Sequence, residues 1–164
     1  MLENEPFESL PVPCRPLPKV DHYPPILSFG FAIPNHVAEF RRAALNHKLG
    51  NPEELSTTKD SALLRLLVKS YLNERCDLPP GQGIVYGHIH SRESNLVIEI
   101  ATNYRSRITR DNLAGVLRSI REVFSLPDDA QPKWYLEPNI VEKDPEEYYL
   151  PSKPTVSTTM WLIV

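Results

Sequence analysis

Residues 84–103 read IVYGHIHSRESNLVIEIATN, and this stretch decides the fold class. Apolar and polar side chains alternate on both sides of the short loop 91–94, which is typical of two antiparallel strands joined by a tight connection. We therefore predict a hairpin with strands at about 84–90 and 95–103.

The expected register of this hairpin brings polar side chains together. If His90 lies opposite Asn95, Tyr86 lies opposite Glu99, and His88 and His90 point to that same face. Imidazole nitrogens and a carboxylate are common ligands of a divalent metal ion that keeps one position open for water. This gives a candidate metal site of His88, His90 and Glu99, in which Tyr86 and Glu99 are the candidates for proton transfer. The competing interpretation, which we favour, is a solvated or partner-covered sheet face that binds no cofactor.

The segments around the hairpin alternate between strand and helix patterns. A strand with apolar alternation precedes it at 27–33, and further strands are predicted at 133–136 and 156–164. Apolar residues at helical spacing predict three helices. These begin near Pro34, Thr58 and Thr109 and end at Gly50, Glu74 and Pro127. The order β-α-α-β-β-α-β-β favours an α+β fold, in which about three helices pack on one face of a mostly antiparallel sheet of about five strands.

Length and proline content set the domain organisation. The chain has 164 residues, of which 41% are hydrophobic, as expected for one globular domain. Prolines make up 17 of the 164 residues, about 10% against a typical usage of about 5%, and 14 of them lie at 6–34 or 127–154. We expect a proline-rich extended arm at 1–24 and a single α+β domain at 25–164.

Charge and cysteine content exclude several classes of protein. A net charge of −3 provides no general attraction to nucleic acid, so no nucleic-acid partner is expected. Cys14 and Cys76 are too few for a disulfide framework, and the beginning of the chain lacks the basic and apolar regions of a signal peptide. No stretch is long and apolar enough to span a membrane. We therefore expect an intracellular protein, cytoplasmic or nuclear.

Three arginines precede the last predicted helix. Arg105, Arg107 and Arg110 lie near its amino end, where free amides and the helix dipole favour an anion. They form a candidate anion-binding site, although the glycine-rich loop of a phosphate site is missing. Ion pairs with the acidic segment 137–149 are the interpretation that we favour.

The end of the sequence is apolar, with Trp161, Ile163 and Val164 among its last four residues. An apolar strand of this kind would promote aggregation if it were exposed to solvent. We therefore predict that these residues are buried in the sheet or at an interface between subunits.

These features favour a non-catalytic protein that acts through protein–protein association, with self-association into a homo-oligomer as the first expectation. Two alternatives remain. One is a small metal-assisted hydrolase or lyase that uses the His-x-His strand, and the other is a small-anion or nucleotide sensor that uses the arginines at 105–110.

Overall fold

The computed structural model describes residues 6–16, 24–79, 81–89, 91 and 94–137. Within them it contains four strands and four α-helices, besides one 3-10 turn at Val12–Cys14. The strands are β1 (Leu27–Ala32), β2 (Val85–His88), β3 (Leu96–Thr102) and β4 (Lys133–Leu136). The helices are α1 (His36–Asn46), α2 (Pro52–Thr57), α3 (Ser61–Arg75) and α4 (Arg110–Phe124).

The strands form one antiparallel sheet in the order β2-β3-β1-β4. This confirms the α+β class and the antiparallel sheet. The fifth predicted strand, at 156–164, lies outside the described residues.

One helix more than expected is present. Asn51 accepts a hydrogen bond from the Glu53 amide, and Pro52 fits the first turn, so a short helix α2 begins here. The Asp60 carboxylate then accepts hydrogen bonds from the amides of Ala62 and Leu63 and starts α3. The prediction of about three helices is therefore wrong because two separate caps lie close together in this segment.

All four helices contribute buried side chains to a single core on one face of the sheet. Apolar residues of β1 and β3 point into it. Phe40 of α1 lies near its centre, with its ring 5.1 Å from the ring of Tyr86 and 5.0 Å from that of Phe124. None of the helices within the described ranges has the length and apolar character needed to cross a membrane.

A β-bulge interrupts the pairing of β1 with β3. Phe29 lies opposite Ala101 and Gly30 opposite Glu99, so Ile100 is the extra residue. Ile100 and Ala101 consequently both belong to the helix-side core. Glu99 points to the other face of the sheet.

The other face of the sheet is also buried. Its apolar part consists of Ile89, Val97 and Tyr135, packed with Ala32. Next to this apolar part lie Ser28 and Glu99, with residue exposures of 0% and 3%.

Residues 6–16 pack against the domain. Phe7 exchanges two backbone hydrogen bonds with Trp134 at the outer edge of β4. Leu10 and Cys14 are buried in the helix-side core. Asn103 fixes this segment, because its side-chain amide donates to the carbonyls of Cys14 and Pro25 at 2.9 Å each.

Candidate interaction edge and buried carboxyl cluster

The register of the hairpin differs by one residue from the predicted one. Tyr86 lies opposite Ile98 and His88 opposite Leu96, while Val85 is the residue opposite Glu99. The expected pairing of Tyr86 with Glu99 is therefore wrong.

Burial of the Tyr86 ring explains this register. The ring packs against Phe40 under the helices, and the hydroxyl donates a hydrogen bond of 2.9 Å to the Arg65 carbonyl. Burial strongly raises the pKa of Tyr86, and the positive charge of Arg65 opposes the rise only in part. Tyr86 thus acts as a neutral core residue with a satisfied hydroxyl.

The same register separates the predicted metal ligands. His88 points to the helix side of the sheet and is exposed, whereas Glu99 is buried on the opposite side. His90 lies outside the described residues. Within the part of the chain that the structure describes, no group of three His, Cys, Asp or Glu side chains is arranged to hold a metal ion.

Glu99 instead belongs to a buried carboxyl cluster, which consists of Ser28, Glu99, Arg107 and Glu137. The Ser28 hydroxyl oxygen lies 2.8 Å from Glu99 Oε2 and 2.6 Å from Glu137 Oε1. Arg107 Nε forms an ion pair with Glu99 Oε1. The cluster joins β1, β3, the end of β4 and the segment before α4, so it connects parts of the chain that are far apart in sequence.

The electrostatics of the cluster raise the pKa of one carboxyl, that of Glu137. Burial raises the pKa of Glu137, and the nearby charge of Glu99 raises it further. The Ser28 hydroxyl and the charges of Arg107 and Arg105 act in the opposite direction. Since Ser28 and Glu99 are almost completely buried, the cluster is suited to holding a proton inside the protein rather than to reaching a substrate.

Sequence reasoning missed Ser28, and it included Glu137 only as part of the acidic segment expected to pair with the arginines, whereas Arg107 forms its ion pair with Glu99. Ser28 is one small polar residue in an apolar strand, and Glu137 is the first residue of an acidic segment. Their contact spans 109 positions of the chain. The only local signal was the alternation of β1, which sets Ser28 on the face opposite Leu27 and Phe29.

The three predicted anion-binding arginines have different environments. Arg107 is paired with Glu99, while Arg105 and Arg110 are exposed. At the amino end of α4 the Thr109 amide donates to Gln82 Oε1 at 3.1 Å. One of the amides expected to face an anion therefore has a partner within the chain.

The outer edge of β2 pairs with no other strand among the described residues. The Ile89 amide donates to the Asn95 carbonyl, and hydrogen-bonded pairs alternate along antiparallel strands. Val85 and Gly87 consequently direct their backbone groups toward β3. Tyr86 and His88 direct theirs outward, where no described residue forms a hydrogen bond with them.

An exposed leucine borders this edge. Asn73 of α3 accepts a hydrogen bond from the Ile84 amide, which places this side of α3 next to β2. Leu66 precedes Asn73 by two helical turns and so lies on the same side of the helix. Its exposure is 59%, and that of Leu63, one turn earlier, is 42%. The edge therefore combines open backbone groups with apolar side chains.

The predicted interface residues Trp161, Ile163 and Val164 lie outside the described residues. Comparison of the chain with protein-family models, with curated proteins and with solved structures gives no match.

Proposed function

We propose that this chain is a non-catalytic protein that acts by association, and that it pairs with a second copy of itself through the outer edge of β2. The observation that supports this most directly is the row of outward amide and carbonyl groups on Tyr86 and His88. An open strand edge is a ready template for another strand.

A second copy fits this edge in one register. With Tyr86 opposite His88 of the second copy, all four outward groups of each strand have a partner. The two-fold axis then passes between the two Gly87 residues. They form a pair without direct hydrogen bonds, the position at which antiparallel strands approach most closely and where a glycine fits.

The apolar border strengthens the same arrangement. A two-fold axis at Gly87 brings Leu66 of both copies to the same side of the joined sheet, where they become at least partly buried. The edge strand has only four residues, so the contact is small compared with a standard interface of about 1,600 Å². We expect a dimer with a dissociation constant in the micromolar range or weaker.

Sedimentation equilibrium over a wide range of protein concentration tests the proposal. His88→Pro removes an outward amide without removing a bond to β3, since proline is tolerated in edge strands where its nitrogen faces solvent. His88→Ala changes the side chain but keeps the amide. We expect His88→Pro to be monomeric and His88→Ala to dimerise like the wild type, with circular dichroism confirming that both are folded.

Two further variants distinguish this edge from other contacts. Leu66→Lys should weaken the dimer by about tenfold or more, because it removes apolar burial and introduces two like charges. Deletion of residues 150–164 should leave the dimer intact. Loss of the dimer in the deletion alone would assign the contact to Trp161, Ile163 and Val164 instead, and a wild type that stays monomeric at all concentrations would refute self-association.

A further inference from the structure

The Ser28 hydroxyl has two acidic neighbours but only one proton. Its oxygen is 2.8 Å from Glu99 Oε2 and 2.6 Å from Glu137 Oε1. A serine hydroxyl donates one hydrogen bond and accepts others. If Ser28 donates to one carboxylate, the other contact is a hydrogen bond only when that second carboxyl carries a proton and donates it to the serine oxygen.

The surrounding charges identify the protonated carboxyl. Glu99 lies in an ion pair with Arg107. Glu137 has no such direct partner among the described residues. Burial and the charge of Glu99 raise the pKa of Glu137, and together they outweigh the opposite effects of the Ser28 hydroxyl, Arg107 and Arg105. The α-helices pack on the opposite side of the sheet, and the charged groups that act on Glu137 are Glu99, Arg107 and Arg105. The arrangement is therefore Glu137 donating to Ser28, and Ser28 donating to the Glu99 carboxylate.

We infer that Glu137 is a proton-controlled latch, which holds the end of β4 against β1 when it is protonated and releases this end when it is ionised. Ionisation places two negative charges around a single buried hydroxyl, and only one of them can accept its proton. Besides the latch, the end of β4 is held by the pairing of Leu136 with Leu27 and by the Glu137 amide, which donates to the Ile26 carbonyl at 3.0 Å. Release of the latch should therefore increase the opening of the hydrogen bond between the Glu137 amide and the Ile26 carbonyl.

The direction of the pH effect follows from proton binding. The native state keeps the proton of Glu137 at pH values at which an ordinary glutamate in the unfolded chain has lost it. The native state therefore binds more protons in this range, and its stability falls as the pH rises from the ordinary glutamate pKa to the raised one. Below that range the latch makes its full contribution.

Glu137→Gln is the matched variant, because its side-chain amide donates to Ser28 as the protonated acid does but does not titrate. Amide hydrogen exchange of residue 137, corrected for the intrinsic effect of pH, should become faster in the wild type as the pH rises above the range in which an ordinary glutamate titrates, and should stay constant in Glu137→Gln. The Ile33 amide, which donates to the Leu96 carbonyl at the other end of β1, is the internal control. It should not change in either protein.

Ser28→Ala separates the latch from a general effect of charge. Without the shared hydroxyl, the amide of residue 137 should exchange rapidly already at the lower pH. Equal exchange in the wild type and in Glu137→Gln at every pH would overturn the inference, as would a carboxyl carbon of Glu137 that titrates in NMR like an exposed glutamate. Either result leaves the dimer proposal unaffected, since the backbone groups proposed to pair belong to Tyr86 and His88, which are not members of this cluster.

Discussion

A β-carbon on Gly87 would lie 2.9 Å from the hydroxyl oxygen of Ser28 and 3.1 Å from Glu99 Oε2. Because Gly87 has no side chain, Ser28 and Glu99 have the space to form their hydrogen bond. This relationship connects the edge strand to the buried carboxyl cluster.

Gly87→Ala should therefore destabilise the protein. The added methyl group meets both polar atoms and a methyl group of Val97, and we expect a loss of about 1–3 kcal/mol in the free energy of unfolding. Gly115→Ala is the control. Gly115 lies within α4 and a β-carbon there has no neighbour within 4 Å, so this change should stabilise the helix by about 0.5–1 kcal/mol. Urea unfolding of the two variants measures both effects, and a Gly87→Ala variant as stable as the wild type would contradict the close packing.

Asn103→Ala should release the amino-terminal segment. Asn103 accepts from the Leu27 amide and donates to the Cys14 and Pro25 carbonyls, so the variant removes the partner of two buried groups and of the partly buried Pro25 carbonyl. We expect a loss of about 3 kcal/mol or more.

The Cys14 thiol reports the same release. Cys14 is 1% exposed, and burial raises the pKa of its thiol, so it should react slowly with a thiol reagent. In a Cys76→Ser background, Asn103→Ala should accelerate the reaction of Cys14. If about 1.4 kcal/mol of the lost stability favours local opening of the segment that contains Cys14, the reaction becomes at least tenfold faster. Asn112→Ala, which removes only a 3.4 Å contact with Gln82, should not change the rate.

Tyr86→Phe should alter the alkaline unfolding of the protein. At neutral pH the loss of the hydrogen bond to the Arg65 carbonyl costs about 0.5–1.5 kcal/mol. Because the pKa of Tyr86 is raised in the native state, the unfolded chain loses this proton first, and wild-type stability falls as the pH rises above about 10. Thermal unfolding should show a smaller fall in the variant. An identical slope in the two proteins would show that Tyr86 ionises freely in the native state.

Deletion of residues 1–8 should increase aggregation. Phe7 satisfies the amide and carbonyl of Trp134 at the outer edge of β4, and their loss opens the second edge of the sheet. Light scattering during concentration should detect larger particles than in the wild type. Phe7→Ala keeps the backbone bridge and should remain close to the wild type, which separates the effect of the open edge from that of the lost side chain.

The sequence predicted the elements of the hairpin better than their register. Alternating residues mark strands at β2 and β3, but both faces of β3 are buried, so alternation alone does not say which face meets the helices. The contact of the Tyr86 ring with Phe40 determines which face of the hairpin meets the helices. The bulge at Ile100 adds a second reason, because it places two successive residues on one face.

The carboxyl cluster lay beyond sequence reasoning for a different reason. Ser28 and Glu99 are 71 positions apart, and no local pattern indicates that they will share a hydrogen bond. The sequence identified Glu99 as a candidate metal ligand and proton-transfer group, and Arg107 as one of three arginines that could bind an anion. The pairing of β1 with both β3 and β4 brings Ser28, Glu99 and Glu137 into one cluster.

The strand order also determines when this protein can fold during its synthesis. β1 lies between β3 and β4, and both partners are made much later than β1 itself. The apolar residues of Leu27–Ala32 therefore stay without a neighbouring strand until the ribosome has released Thr102, and nascent chains stalled before that point should be digested like unfolded polypeptide. During that interval this segment is the natural target for a chaperone that binds extended apolar chain.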